Sequence, residues 1–555
     1  MNDAGTRFDS RSEVDFVIIG SGASGGVLAK ELSVAGFDVV VLEQGPYRTP
    51  ADFTHDELQV FFNNEMMNHP GWWDPQTFRS SEGQRAEIAT QAPPALYART
   101  VGGSSVHFSA NYWRFHPVDF EERSMLGDIA GTGFADWPLT YEELEPYYSK
   151  VDWQVGVSGA PGPFDPYRSR PFPMPPLPVK SSGVMLERGA LKCGLHPQPA
   201  PLAVLSQPFN GRPACVHCGF CMAFGCEVSA KSSTLASMIP LAEASGHCEI
   251  RPLSTVFRIE TNDLGRVSEV IYRDGEGEEF AQKARAVILA ANGAETPRLL
   301  LLSESARHPD GLSNASGLVG KYLMGNCHSV LHAEFEHPLN DYKSVQCSRI
   351  IHDFYDSDPA RGFYGGGGLD GRPLMNATPI MSALDGIPVD IPMWGPEYKK
   401  FIARSFTHQM AVLGSTTSLA VLDNNVSLDP DITDAMGRPA LRITYRDHPD
   451  DLAMAVFLQD RAEEIMQAAG AKAIWREPVG PQNVFAHLLG TCRMGNDPGN
   501  SVVDRYHRSH EVPNLFICDG SSFVTSGRGQ PTMTIQALAF RAAEHIGEFA
   551  RRGEI

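Results

Sequence analysis

The chain has 555 residues, 42% hydrophobic and 20% charged, an ordinary balance for a globular enzyme with room for more than one domain. Its formal net charge of −20 makes nucleic acid and anionic membranes poor partners. Residues 1–13, MNDAGTRFDSRSE, hold no apolar stretch of the kind a secretory signal needs, and no run reaches transmembrane length. Read alone, the chain is expected to be soluble and cytoplasmic, with no membrane insertion.

Residues 14–44 read as strand, glycine turn, helix, strand and acidic residue. Apolar Val17-Ile18-Ile19 runs into Gly20-Ser21-Gly22-Ala23-Ser24-Gly25, helical patterning continues to Ala35, and Val39-Val40-Val41-Leu42 ends at Glu43 and Gln44. Glycines so placed let the backbone approach a pyrophosphate, whose charge rests on amides at the helix N-terminus. Glu43 stands where a carboxylate accepts ribose hydroxyls. The pattern predicts a bound dinucleotide without separating NAD from FAD.

Residues 50–98 are irregular and aromatic-rich, with a Trp72-Trp73 pair suited to packing or to stacking on a sugar. A second glycine-centred stretch follows at 99–114, and 137–151 contains an amphipathic helix with early acidic residues. Residues 161–180 hold eight prolines, the composition of extended connecting chain. Alternating patterns at 255–259 and 267–271 predict strands, and 286–303 a buried strand, a small-residue turn and a helix. Residues 326–480 change character and read as a separate, sheet-based substrate domain with a long helix within 450–470. Residues 515–518 read as a strand and 534–551 as a closing helix. The opening unit needs parallel partners, and 286–303 and 515–520 are the most apolar segments available.

Five motifs, in order along nearly the whole chain, resemble those of the glucose–methanol–choline (GMC) family of FAD oxidoreductases. They are GSGASG with Glu43; Val101-Gly102-Gly103-Ser104-Ser105; Asn292-Gly293-Ala294-Glu295-Thr296-Pro297; His487-Leu488-Leu489-Gly490-Thr491; and Asp519-Gly520-Ser521 with Pro531-Thr532-Met533-Thr534. The resemblance implies FAD as cofactor and an α/β, GMC-type fold. A Rossmann-like FAD-binding domain would be built from 1–325 and 481–555, with an α+β substrate domain at 326–480. It further implies cofactor contacts at Gly20, Ser21, Gly22, Ser24, Gly25, Glu43, Gln44, Val101, Gly102, Gly103, Ser104, His107, Val256, Ala291, Asp519, Gly520 and Thr532. Within the family the chain resembles the flavoprotein subunits of bacterial sugar dehydrogenases.

Oxidising an alcohol requires removing a hydroxyl proton while hydride leaves the carbon, and a neutral imidazole suits the first task. The chain has 18 histidines. The resemblance implies that His487 is the base. Gln530 stands where the family has His or Asn, able to orient the substrate oxygen but not to take a proton. His107 is similar in position to the histidine that carries the flavin covalently in pyranose oxidase; the alternative is a buried, hydrogen-bonded ring beside the flavin.

Cys215, Cys218, Cys221 and Cys226 are four of ten cysteines. Their spacing approaches that of ferredoxins, and an iron–sulfur cluster is the expectation, with zinc or two local disulfides as alternatives. The resemblance supports iron, as a [3Fe-4S] cluster on Cys215, Cys221 and Cys226 or a [4Fe-4S] cluster on all four. The function expected is therefore a dehydrogenase oxidising a secondary hydroxyl of a sugar, glycoside or sugar acid to a ketone. Electrons would pass through the cluster to a cytochrome c, in the periplasm, with a small signal-bearing subunit as export partner. The runner-up is an FAD alcohol oxidase or dehydrogenase for lipophilic or aromatic alcohols, with oxygen or a quinone as acceptor. A non-catalytic flavin-binding subunit is the third reading.

Overall fold

A computed structural model describes residues 7–63, 65–68, 71, 73–373, 378–384 and 386–555. β-Branched residues make up most of the opening strand, Val14–Ile19, and of Val39–Leu42, which are covered on both faces as interior parallel strands must be. They pair in parallel, Ile18 opposite Val41. On its other side the opening strand pairs with the long strand Glu279–Leu289, Ile18 opposite Ile288. That strand also takes Leu515–Ile517, Phe516 opposite Ile288. Both apolar segments expected as parallel partners are thus the ones found. Cys248–Arg251 extends the sheet at one edge, and Val267–Arg273 and Thr255–Thr261 fold back as antiparallel strands.

Two helices, Gly25–Val34 and Tyr141–Val151, both pack on the closing helix Thr532–Arg551 beside this sheet. The second starts where its sequence says. Thr140 Oγ1 accepts from Glu143 N at 3.3 Å and the Glu143 carboxylate accepts from Thr140 N at 2.9 Å, a reciprocal cap. The first helix can approach its glycine turn because Gly25 has no side chain: a Cβ there would lie 1.9 Å from the Gly20 carbonyl oxygen. The second glycine stretch lies directly on the first. Gly103, at φ +53°, would bring a Cβ within 2.7 Å of Gly22 Cα.

The second sheet runs Ala473–Arg476, His328–Glu334, Gln409–Thr416, Gly367–Arg372, Arg349–Ile351, Pro197–Pro199. The helix Pro449–Ala469 lies across it. Most of it falls in 326–480, but the last strand and the helix Ser181–Lys192 come from the N-terminal part. Pro197 and Pro199 have no N–H to donate, which confines them to an edge. A third sheet likewise mixes both parts, Gln76–Arg79 pairing with Pro439–Thr444. Among the described residues no helix is long and apolar enough to cross a membrane.

Candidate active site

A cavity of about 1060 Å³ lies where the two large sheets meet, at the upper end of the ~300–1,000 Å³ common for ligand sites. Of the residues expected to hold a cofactor, Gly20, Gly22, Ser24, Glu43, Gln44, Gly103, Ser104, His107, Val256, Ala291, Asp519, Gly520 and Thr532 line it. So do His487 and Gln530. Ser21, Gly25, Val101 and Gly102 do not reach the cavity surface and stand behind the wall. Ser21 Oγ donates to Glu43 Oε2 at 2.7 Å and accepts from Gly102 N at 2.9 Å, tying the two glycine turns together. Trp73 borders the cavity, while Trp72 lies outside the described residues.

Glu43 has a second task beyond the one expected of it. Oε2 also accepts from Ser21 N at 3.0 Å, and Oε1 from Gly45 N at 3.0 Å, so the carboxylate clamps its own loop. Burial raises its pKa, and the amides of Gly45 and Ser21 hold the rise in check. Oε2 is filled by its two Ser21 donors, and Oε1 keeps a lone pair for a hydroxyl from the cavity side. Asp519 is held the same way, accepting from Asn292 N at 3.0 Å, Thr296 Oγ1 at 2.6 Å and Ser521 N at 2.8 Å. At the opposite wall Thr532 begins a 20-residue helix, whose N-terminal amides favour negative charge.

His487 is positioned by its motif. Thr491 Oγ1 donates to Gly293 O at 2.7 Å and Gly490 N to Gly520 O at 3.0 Å, which stitches the segment to two turns of the cavity wall. His487 Nδ1 lies 3.0 Å from Asn326 Oδ1. Asn326 Nδ2 already donates to Thr416 O at 2.8 Å and Gly527 O at 3.3 Å, so Oδ1 is the acceptor and Nδ1 carries the proton. The remaining nitrogen, Nε2, is an unprotonated lone pair on the cavity side. Burial pushes the ring down to about 4, keeping it neutral at ordinary pH. Gln530 lines the same space, and its amide makes no hydrogen bond among the described residues.

His107 Nε2 is buried with no partner, and burial beside Lys231 pushes the ring down to about 4. An orphaned imidazole nitrogen, two glycine turns open to the cavity and a helix N-terminus fit the demands of a flavin dinucleotide.

The cysteine quartet behaves differently from expectation. Cys215, Cys218, Cys221 and Cys226 surround one cavity of about 20 Å³, room for a single water. Among the described residues no group of three or more His, Cys, Asp or Glu side chains is arranged to hold a metal ion. All ten cysteines are free thiols. The metal centre expected on these four residues therefore does not fit as the loop stands. Two backbone amides do point at sulfur, His217 N to Cys215 Sγ at 3.3 Å and Lys231 N to Cys226 Sγ at 3.4 Å.

Sequence patterns left out Asn326, His328, Arg372 and Glu477, which all line the cavity. No spacing marks them. They converge only because the second sheet closes on the first.

Residues 14–326 and 421–539 match the N- and C-terminal models of GMC oxidoreductase. The chain is 35% identical to 2-methyl-1,2-propanediol dehydrogenase of Mycolicibacterium austroafricanum, over 97% of this chain and 96% of that one. It is 30% identical to the fructose dehydrogenase large subunit of Gluconobacter japonicus (97% and 98% covered). It is 28% identical to the gluconate 2-dehydrogenase flavoprotein of Pantoea cypripedii (97% and 94%). Among solved structures, pyridoxine 4-oxidase from Mesorbium loti superposes with a TM-score of 0.64 at 18% identity, covering 96% of this chain and 99% of that one, a likeness of fold. The chain belongs to the GMC oxidoreductase family, FAD enzymes that act on CH–OH donors.

Proposed function

We propose that the protein is an FAD-dependent dehydrogenase that oxidises a secondary hydroxyl of a sugar, glycoside or sugar acid to a ketone. The observation that carries this reading is His487, fixed by Asn326 with an unprotonated Nε2 facing the cavity. That nitrogen takes the hydroxyl proton. Gln530 orients the oxygen, and the walls exclude water. FAD, when bound, supplies the acceptor for the hydride. His107 Nε2 is the atom available for a covalent flavin link, which acid denaturation tests: flavin released free excludes the bond.

Polar side chains at the substrate end, His328, Arg372, Glu477 and Gln530, favour a hydroxyl-rich substrate over a lipophilic one. Relatives named for gluconate and fructose point the same way. A small vicinal diol is a second reading, supported by the relative named for 2-methyl-1,2-propanediol.

Met222 and Ala223 of the cysteine loop line the main cavity, which is where an electron relay would have to sit, but the loop as it stands does not fit a cluster. No step is routed through a cluster. A cytochrome c acceptor, a small signal-bearing subunit and the periplasm belong with the relay. Without it, a direct acceptor and the cytoplasm take their place.

Anaerobic mixing with D-gluconate, D-fructose, a methyl glucoside and 2-methyl-1,2-propanediol tests the reaction. At least one should bleach the flavin, and His487→Ala should slow that bleaching by about 10²- to 10⁴-fold. Full-speed reduction in the variant sinks the role given to His487.

A further inference from the structure

A second histidine faces the same space from the other side. His328 opens the strand His328–Glu334, and its ring meets that of His487 edge-on, centroids 5.6 Å apart and planes at 79°. It lines the same cavity as Arg372 and Gln530. Its two nitrogens have unlike surroundings. Nδ1 is buried without a hydrogen-bond partner, whereas Nε2 is not shut in and opens on the cavity.

A neutral imidazole carries one N–H. Placing it on Nδ1 would bury a donor with no acceptor, an arrangement folded proteins avoid more strictly than an idle lone pair. The proton therefore sits on Nε2, pointing into the cavity. Burial, with His487 and Arg372 nearby, pushes the ring down to about 3, so it stays a neutral donor. The two histidines thus present opposite polarities to one space, a lone pair on His487 and an N–H on His328.

We propose that His328 is a second catalytic group, donating its Nε2–H to the substrate oxygen while His487 removes the proton from that oxygen. Negative charge grows on the oxygen as its proton leaves, and a fixed donor aimed at that charge lowers the barrier. The accounting is closed. The O–H bond breaks and its proton goes to His487 Nε2; the C–H bond breaks and its electron pair leaves as hydride to FAD; a C=O bond forms; His328 keeps its proton throughout. The proposal requires one oxygen to lie within about 2.8–3.0 Å of both nitrogens. This supplies from the substrate-side sheet the donor that Gln530, with its longer reach and no ring, was expected to provide alone. It rests on His487 being the base.

The test is anaerobic stopped-flow reduction of the FAD-loaded protein by whichever of D-gluconate, D-fructose, methyl glucoside or 2-methyl-1,2-propanediol reduces wild type fastest. His328→Leu should lower the limiting rate about 100-fold with the half-saturating concentration changed less. His328→Asn, which keeps a donor, should recover at least tenfold of that loss. A His328→Leu rate within twofold of wild type, or His328→Asn no faster than His328→Leu at equal FAD content, overturns the proposal. His487→Ala separates the two claims: if it reduces normally the base assignment has failed, and if only His487→Ala is slow then His328 alone is misassigned.

Discussion

His487 can take a proton through Nε2 in only one of its two neutral tautomers, and Asn326 selects it. The amide cannot turn over, because its NH₂ is committed to the carbonyls of Thr416 and Gly527. Burial alone accounts for the low His487 pKa of about 4, so the flavin-reduction rate should be flat at neutral pH and fall only as the ring protonates near pH 4. Asn326→Asp places a negative charge against Nδ1 and favours the protonated ring. Its acid limb should move upward by at least one pH unit, while Asn326→Leu should reduce the rate about tenfold or more with FAD still bound. An unmoved limb in Asn326→Asp, followed by stopped-flow across pH 3.5–8, would show that the contact does not govern the base.

The cysteine loop is the element in which sequence and structure disagree most. It is braced by Lys231, a buried cation whose Nζ donates to Phe108 O at 3.1 Å, Phe224 O at 2.7 Å and Cys221 O. One of these carbonyls follows His107 on the cavity wall and the other two belong to the loop, while Ala223 N donates to His107 O at 2.7 Å. Burial pushes Lys231 down to about 8, yet the thiolates of a loaded site would hold it charged. A cluster would have to open a cavity of about 20 Å³ without breaking this brace. Iron and acid-labile sulfide per flavin, measured on anaerobically purified protein, decide the matter. Three or four irons with a matching EPR signal are expected if the quartet is a relay; none, with peroxide formed in air, moves the assignment to an oxidase.

At the scale of the molecule, the two ends of the chain build one binding site. Leu515–Ile517 is a strand of three residues held by Glu279–Leu289, and the closing helix rests on the first helix and on Tyr141–Val151. Residues 481–555 thus supply a sheet strand, a cavity wall at Asp519 and Gly520, the helix N-terminus at Thr532 and His487 itself. A chain ended at residue 480 should purify without flavin, as read from its visible absorbance. Retained flavin would mean that the N-terminal part is a binding unit by itself.

What the residues by themselves determined is local and repetitive. Glycines at 20, 22 and 25, β-branched runs on either side of them and an acidic residue after the second run specify the strand–turn–helix unit, because each acts on the backbone where it stands. The motif around His487 was legible for the same reason: its neighbours along the chain are also its neighbours in space. Tertiary structure alone decided which side chains meet across it. Asn326 and His328 touch the His487 ring across more than 150 positions of sequence, through a strand whose place is set by sheet closure. Pro197–Pro199 joins a sheet far along the chain because only an edge accepts prolines. Glu43 became a loop clamp once Ser21 and Gly45 folded over it. The cysteines show the limit most plainly: spacing names the atoms that can bind, but the room between them depends on packing that no spacing records.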